Sequence, residues 1–433
     1  MDTIEDFFNI SNDDENESDN FEVGDFLKEE KERWNYPTSN KWRVLATFFG
    51  FLVFGANDAS IGALVPNLED HYNVSDAGIA LCFLSPFTGY LVAAMMTSYT
   101  HRKLGYQGVA IIAAVSQFTT FFISSFAPPF ALYFIGLAIT GFGCGTIEAS
   151  WNTLISNLRN SDAILGILHG CYGLGAMISP AVATSLFKAG YRWTTFYRLM
   201  MIAALLELAA STFAFRGMTA AKHRLEEEKH ANATNGGKDG EGGLKEALKT
   251  PTVWALALVL MLYVGGEVTT GGWIITFMIR VRDGSKENMR LVATGFWGGL
   301  TLGRFTLGFV TNHFGHTHKL VTIYMGCAVL FELLFWWIPS IFVSSVCTIL
   351  VGFFIGPIFP SAMSLSTEYL PKRIQIAGIG LAAAIGGGGA ALIPFITGVF
   401  INHLGAVIMP PTVLILFIIM TLSWIWLPKT VKS

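Results

Sequence analysis

Twelve apolar runs of 20 or more residues dominate this sequence, and they fall in two sets of six on either side of one polar segment. The first set covers residues 42–66, 75–99, 107–126, 130–156, 162–187 and 195–215, and the second 250–279, 289–312, 319–338, 341–365, 374–401 and 406–427. A helix that crosses hydrocarbon needs about 20 mostly apolar residues and satisfies every backbone N–H and C=O within itself. The pattern therefore predicts an all-α membrane protein with twelve transmembrane helices in two six-helix halves, 42–215 and 250–428. Charge content agrees: 14% of residues are charged, against roughly 25% in a soluble globular chain.

The polar stretches divide the rest. Residues 1–41 are rich in Asp and Glu and are expected to form a disordered acidic tail. They lack the basic-then-apolar order of a cleavable signal peptide, so span one is the expected insertion signal. Residues 216–249, with Gly236, Gly237, Gly240, Gly242 and Gly243, read as a flexible linker, and 429–433 as a short second tail. Arg102, Lys103, Arg159, the linker's basic residues, Lys319, Lys372, Arg373, Lys429 and Lys432 share the side of the N-terminus. The opposite side holds a smaller group, Lys188, Arg192, Arg280, Arg282, Lys286 and Arg290. This bias places both termini in the cytoplasm. The plasma membrane is the expected location, with a vacuolar or other endomembrane as the alternative.

The two halves also resemble each other. Gly173, Gly175, Ala176 and Pro180 of span five recur 214 residues later as Gly387, Gly389, Ala390 and Pro394 of span eleven. The turn 101–105 after span two has a counterpart at 312–315 after span eight. Parallel halves related by an axis along the membrane normal give such repeats.

Ionisable residues inside spans are costly and mark functional positions. Five acids qualify: Asp58, Glu148, Glu207, Glu267 and Glu332. Asp58 follows Asn57 among small residues in span one. Glu148, Trp151 and Asn152 of span four stand at i, i+3 and i+4, which predicts one face carrying a carboxylate, an indole and an amide suited to a polyhydroxyl solute. At 1.5 Å per residue, Asp58 lies roughly 24 Å above the start of span one and Glu148 roughly 12 Å above the end of span four. Glu267 and Trp273 frame a glycine-rich stretch of span seven that is expected to bend or unwind, as helices at transport sites do. His169 of span five is a candidate proton relay or a hydrogen-bonded imidazole, and Arg304 of span eight requires a carboxylate or several carbonyls. Glu207 and Glu332 lie in uniformly apolar surroundings and suit packing. The five cysteines show no metal-ligand spacing, and the sequence points to no cofactor, no enzyme chemistry and no basic face for nucleic acid.

The plan and these residues together resemble the major facilitator superfamily, and within it the fucose-proton symporter branch and its fungal relatives. The resemblance is carried by Asn57 and Asp58, by Glu148 to Asn152, by Leu168 to Ala176, by Glu267 to Trp273 and by Gly356 to Ser361. It implies alternating access by rocking halves, with Asp58 and Glu148 as the substrate and proton carboxylates. One departure is Arg102, which stands where the superfamily usually carries an acid before its glycine; Asn312 replaces the acid of the second half. The resulting expectation is a monomeric secondary active transporter in the lipid bilayer, coupling protons to symport of a sugar or similar small polar metabolite. An exporter of apolar metabolites or drugs and a non-transporting nutrient sensor are the alternatives.

Overall fold

The computed structural model describes residues 32–159, 161–221 and 246–431. Most of the expected acidic tail and linker thus lies outside the described residues. Twelve membrane-length helices follow in order: α1 Thr38–Tyr72; α2 (76–104) and α3 (106–124), one helical run that turns at Gly105; α4 Phe130–Ser156; α5 Ser161–Lys188; α6 Trp193–Ala214; α7 Pro251–Arg280; α8 Lys286–Phe314; α9 Thr317–Trp337; α10, in two pieces, Ile341–Ile355 and Ile358–Tyr369; α11 Lys372–Leu404; and α12 Met409–Val431. An even number of passages brings both termini to one end of the bundle, called here the terminal end; the other is the distal end.

Among the described residues, eleven segments are long and apolar enough to cross a membrane. The helix missing from that count is α8, whose 29 residues are long enough but carry Lys286, Arg290 and Arg304. Those charges are accounted for below by partners on other helices.

Three local features depart from the expectations. The chain before α1 is not a free tail up to residue 41, because α1 begins at Thr38. The Glu32 carboxylate accepts from the Asn40 amide at 2.7 Å, and its carbonyl accepts from the Arg159 N–H at 2.9 Å. Trp34 packs beside these contacts against the apolar cluster of the first half. Secondly, α7 does not unwind: Pro251–Arg280 is one continuous helix. Its glycines make room for neighbours, since a Cβ at Gly265, Gly266, Gly271 or Gly272 would meet Ile393, Phe417, Trp297 or Phe83 at 2.1–2.7 Å. The break falls instead in α10, at Gly356 and Pro357.

The two halves are assembled by the same contacts at the same repeat distance. Gly175 of α5 lies against the Leu52 carbonyl of α1, and its counterpart Gly389 of α11 lies against the Met261 carbonyl of α7. Gly89 and Gly141 join α2 to α4 through the carbonyls of Ala138 and Pro86. Gly303 and Gly356 join α8 to α10 through those of Phe353 and Leu300, each position 214 or 215 residues further on. A Cβ at any of these six glycines would sit 1.9–2.5 Å from a backbone oxygen, too close for any side chain. Small residues at such seams let helix backbones approach where no hydrophobic force separates helix from lipid. Between the halves, α5 packs on α8 and α2 on α11, again an equivalent pair.

A Val in place of Gly175 or Gly303 is expected to cost about 1–3 kcal/mol of stability and to lower the thermal unfolding midpoint of the detergent-solubilised protein. Val at Gly308 or Gly326, where a Cβ meets nothing within 4 Å, leaves that midpoint unchanged.

Candidate substrate and proton site

The centre of the bundle collects ionisable side chains from both halves, each with a different kind of partner. Asp58 of α1 accepts from the Tyr172 hydroxyl of α5 at 3.0 Å and from the Asn57 amide at 3.2 Å. Glu148 of α4 lies beside the hydroxyl of Tyr90 of α2. Asn152, one turn on, donates to the Glu148 carbonyl at 2.8 Å, and its side-chain oxygen meets Nε2 of His169 of α5 at 3.1 Å. The His169 ring sits between Phe51 of α1 and Phe359 of α10. All these acids and their partners except Asn57 are partly accessible rather than sealed.

The second half contributes a charged pair. Arg304 of α8 faces both carboxylate oxygens of Glu267 of α7 at 3.4 Å and the Tyr263 hydroxyl at the same distance. Its other terminal nitrogen faces the His169 carbonyl, also at 3.4 Å, and so reaches across to the first half. Asp58 lies within electrostatic reach of both Glu148 and Glu267. Three carboxylates thus share one space: two held only by neutral hydroxyl and amide donors, one by a guanidinium. A carboxylate with neutral donors can take up a proton without stranding a cation, whereas protonating Glu267 leaves the Arg304 charge uncompensated.

Two sequence expectations fail here. Trp151 does not share the solute-facing side with Glu148 and Asn152. It is 1% exposed and stacks on Phe215, with ring centroids 4.6 Å apart, inside the first half. Positions 151 and 152 differ by about 100° around a helix, so Asn152 can face the centre while Trp151 turns to the packed side. Glu207 occupies that packed side too, accepting from the Gln117 amide at 3.3 Å. Trp273 is likewise fully buried, donates to the Pro394 carbonyl at 2.9 Å and lies beside Phe83 of α2. It fills the seam between α7, α11 and α2 and does not line the central space.

The distal end is clasped across the halves. Arg280 of α7 bridges Asp76 at 2.7 Å and Glu69 at 2.9 Å, and Lys286 meets Asp70 at 2.6 Å. Beneath them Arg290 of α8 is 1% exposed. It donates to the Ala63 carbonyl at 3.2 Å and to the Asn67 side chain, and lies over the Phe187 ring at 4.3 Å. Arg280, Lys286 and Arg290 are half of the basic group that stood out on the distal side, and Arg282 is held within the second half by the Phe335 and Trp336 carbonyls. Sequence reasoning missed this clasp, and it missed Tyr90, Tyr172 and Tyr263, whose one visible signal is a hydroxyl in an otherwise apolar run. Arg102 and Asn312 have side chains outside the described residues.

The sequence profile of the Major Facilitator Superfamily matches residues 47–286 and 274–433. The chain belongs to this superfamily. Among its relatives, the protein named "Bypass of stop codon protein 6" of Saccharomyces cerevisiae is 31% identical over 421 residues, covering 91% of this chain and 84% of that protein. The "Glucose/mannose transporter GlcP" of Bacillus subtilis is 23% identical over 366 residues, covering 82% and 88%. A bacterial homolog of the human lysosomal transporter Spinster, solved in an inward-facing and unoccupied conformation, superposes with a TM-score of 0.69 at 14% identity, covering 92% of this chain and 98% of that one. The superfamily's parallel six-helix halves are those described above, and its members are membrane transporters rather than enzymes.

Replacing either Glu267 or Arg304 alone by Gln is expected to cost about 3 kcal/mol or more of stability, because each leaves a buried charge unpaired. The double substitution recovers most of it, read as thermal unfolding in a double-mutant cycle. Ala at Arg290 loosens the distal clasp. A cysteine in place of Thr276, which is 2% exposed and lies beside Pro66 and Glu69 of the other half, then reacts faster with a polar maleimide than the same cysteine in an otherwise unchanged chain.

Proposed function

We propose that this superfamily member is a proton-coupled symporter of a sugar or similar polyhydroxyl metabolite, working by alternating access between its two halves. The observation that carries this reading is the division of labour among the central carboxylates. Asp58 and Glu148 keep neutral donors and partial access, while Glu267 is committed to Arg304. Protonation of Asp58 or Glu148 removes a charge from between the halves, and loss of that charge is what lets the halves close around a neutral solute. Asn152, His169 and the tyrosine hydroxyls supply donors and acceptors of the kind that fix sugar hydroxyls. The glucose/mannose relative and the other sugar-transporter relatives support the substrate class.

The clasped distal end corresponds to a conformation closed on that side, and the Spinster homolog with the similar fold was solved inward-facing. With both termini in the cytoplasm, the distal end is the outer one and substrate leaves this conformation inward. The chain acts as a monomer in the plasma membrane.

The test is uptake of a hexose panel by proteoliposomes with and without an imposed inward proton gradient. The wild type accumulates its sugar only with the gradient. Asp58→Asn and Glu148→Gln each abolish gradient-driven accumulation. The substitution at the proton carrier leaves equilibrium exchange of the same sugar intact, and the one at the sugar contact weakens both. Unchanged gradient-driven uptake in both variants would refute the mechanism.

A further inference from the structure

Away from the central site, an open groove of about 600 Å³ runs between α3 and α6 on the outside of the first half. Its walls are Leu205, Leu208, Ala209, Thr212 and Phe213 of α6; its mouth, at the terminal end, is Gln107 and Arg216. Neither the Gln107 amide nor the Arg216 guanidinium has a hydrogen bond or ion pair among the described residues, and Arg216 is exposed. α6 is one of the least buried spans, with a third of its apolar core inside the protein, so this groove faces lipid.

We infer that the α3/α6 groove is a binding site for one anionic phospholipid, with an acyl chain along the α6 wall and its headgroup phosphate on Arg216 and Gln107. Three observations on the groove agree. From Leu205 to Ala214, the last residue of α6, the helix rises about 14 Å, close to the roughly 15 Å depth of one leaflet's hydrocarbon. The apolar walls end in one fixed cation and one amide, which match an anionic headgroup rather than a neutral solute. Trp42 of α1, half exposed, meets the Phe213 ring edge-on at 6.3 Å, and an indole at that height marks the interface where headgroups begin. The backbone that shapes the mouth is itself pinned, with the Gln107 N–H donating to the Met218 carbonyl at 3.2 Å and Gly105 taking a positive φ against Thr219. The site is thus built into the turn between α2 and α3, which would make lipid occupancy a means of stiffening that turn.

The full chain, reconstituted in phosphatidylcholine vesicles doped with phosphatidylserine and re-extracted in mild detergent, is examined by native mass spectrometry for retained lipid. The wild type is expected to retain phosphatidylserine over phosphatidylcholine, and Arg216→Ala to lose about fivefold of that preference, the effect of one basic side chain at a lipid surface. Arg216→Lys keeps it. Ala209→Trp, which fills the groove wall, loses retained lipid of both kinds; should it fail to fold, the Arg216 pair decides alone. Equal preference in Arg216→Ala and wild type overturns the inference. So does displacement of phosphatidylserine by soluble glycerophosphoserine, because a charged patch without a groove would behave that way.

Discussion

The bundle depends on backbone meeting backbone. At Gly175 and Gly389, at Gly89 and Gly303, and at Gly141 and Gly356, a helix comes so near its neighbour's carbonyl that no Cβ fits. In lipid this contact does what apolar burial does in water, since dispersion at close range is the main gain left when both alternatives are equally oily. The same contacts recur in each half, so each half is closed by equivalent seams. The halves meet through α5–α8 and α2–α11, again equivalent pairs.

Charge is arranged around that mechanical plan. Each buried cation reaches across the division: Arg290 from the second half to Ala63 and Asn67, Arg304 to the His169 carbonyl. Charges at the distal end join the halves, and at the centre Asp58, Glu148 and Glu267 lie near one another with one guanidinium among the three. Opening the distal end requires releasing four side-chain partners of Arg280, Lys286 and Arg290, namely Glu69, Asp76, Asp70 and Asn67.

Helical class, the number of passages, the six-plus-six division and the candidate acids were legible in the sequence, because hydrocarbon imposes length and hydropathy on each span separately and makes a buried charge conspicuous. The internal repeat was legible for a related reason: the glycines that it preserves are the ones that touch carbonyls. These properties belong to one helix at a time.

What only the tertiary structure decided is where each helix points its side chains. Spacing placed Trp151 beside Glu148, yet the rotation of α4 in the bundle turned the indole to Phe215 and left Asn152 facing His169. A run of glycines in α7 promised an unwound helix, yet Phe83, Trp297, Ile393 and Phe417 from four other helices occupy the space and keep it straight. The clasp of Arg280, Lys286 and Arg290 joins residues more than 200 positions apart. Local composition carries no information about such contacts, because helix rotation and the choice of partner are set by how all twelve helices pack at once.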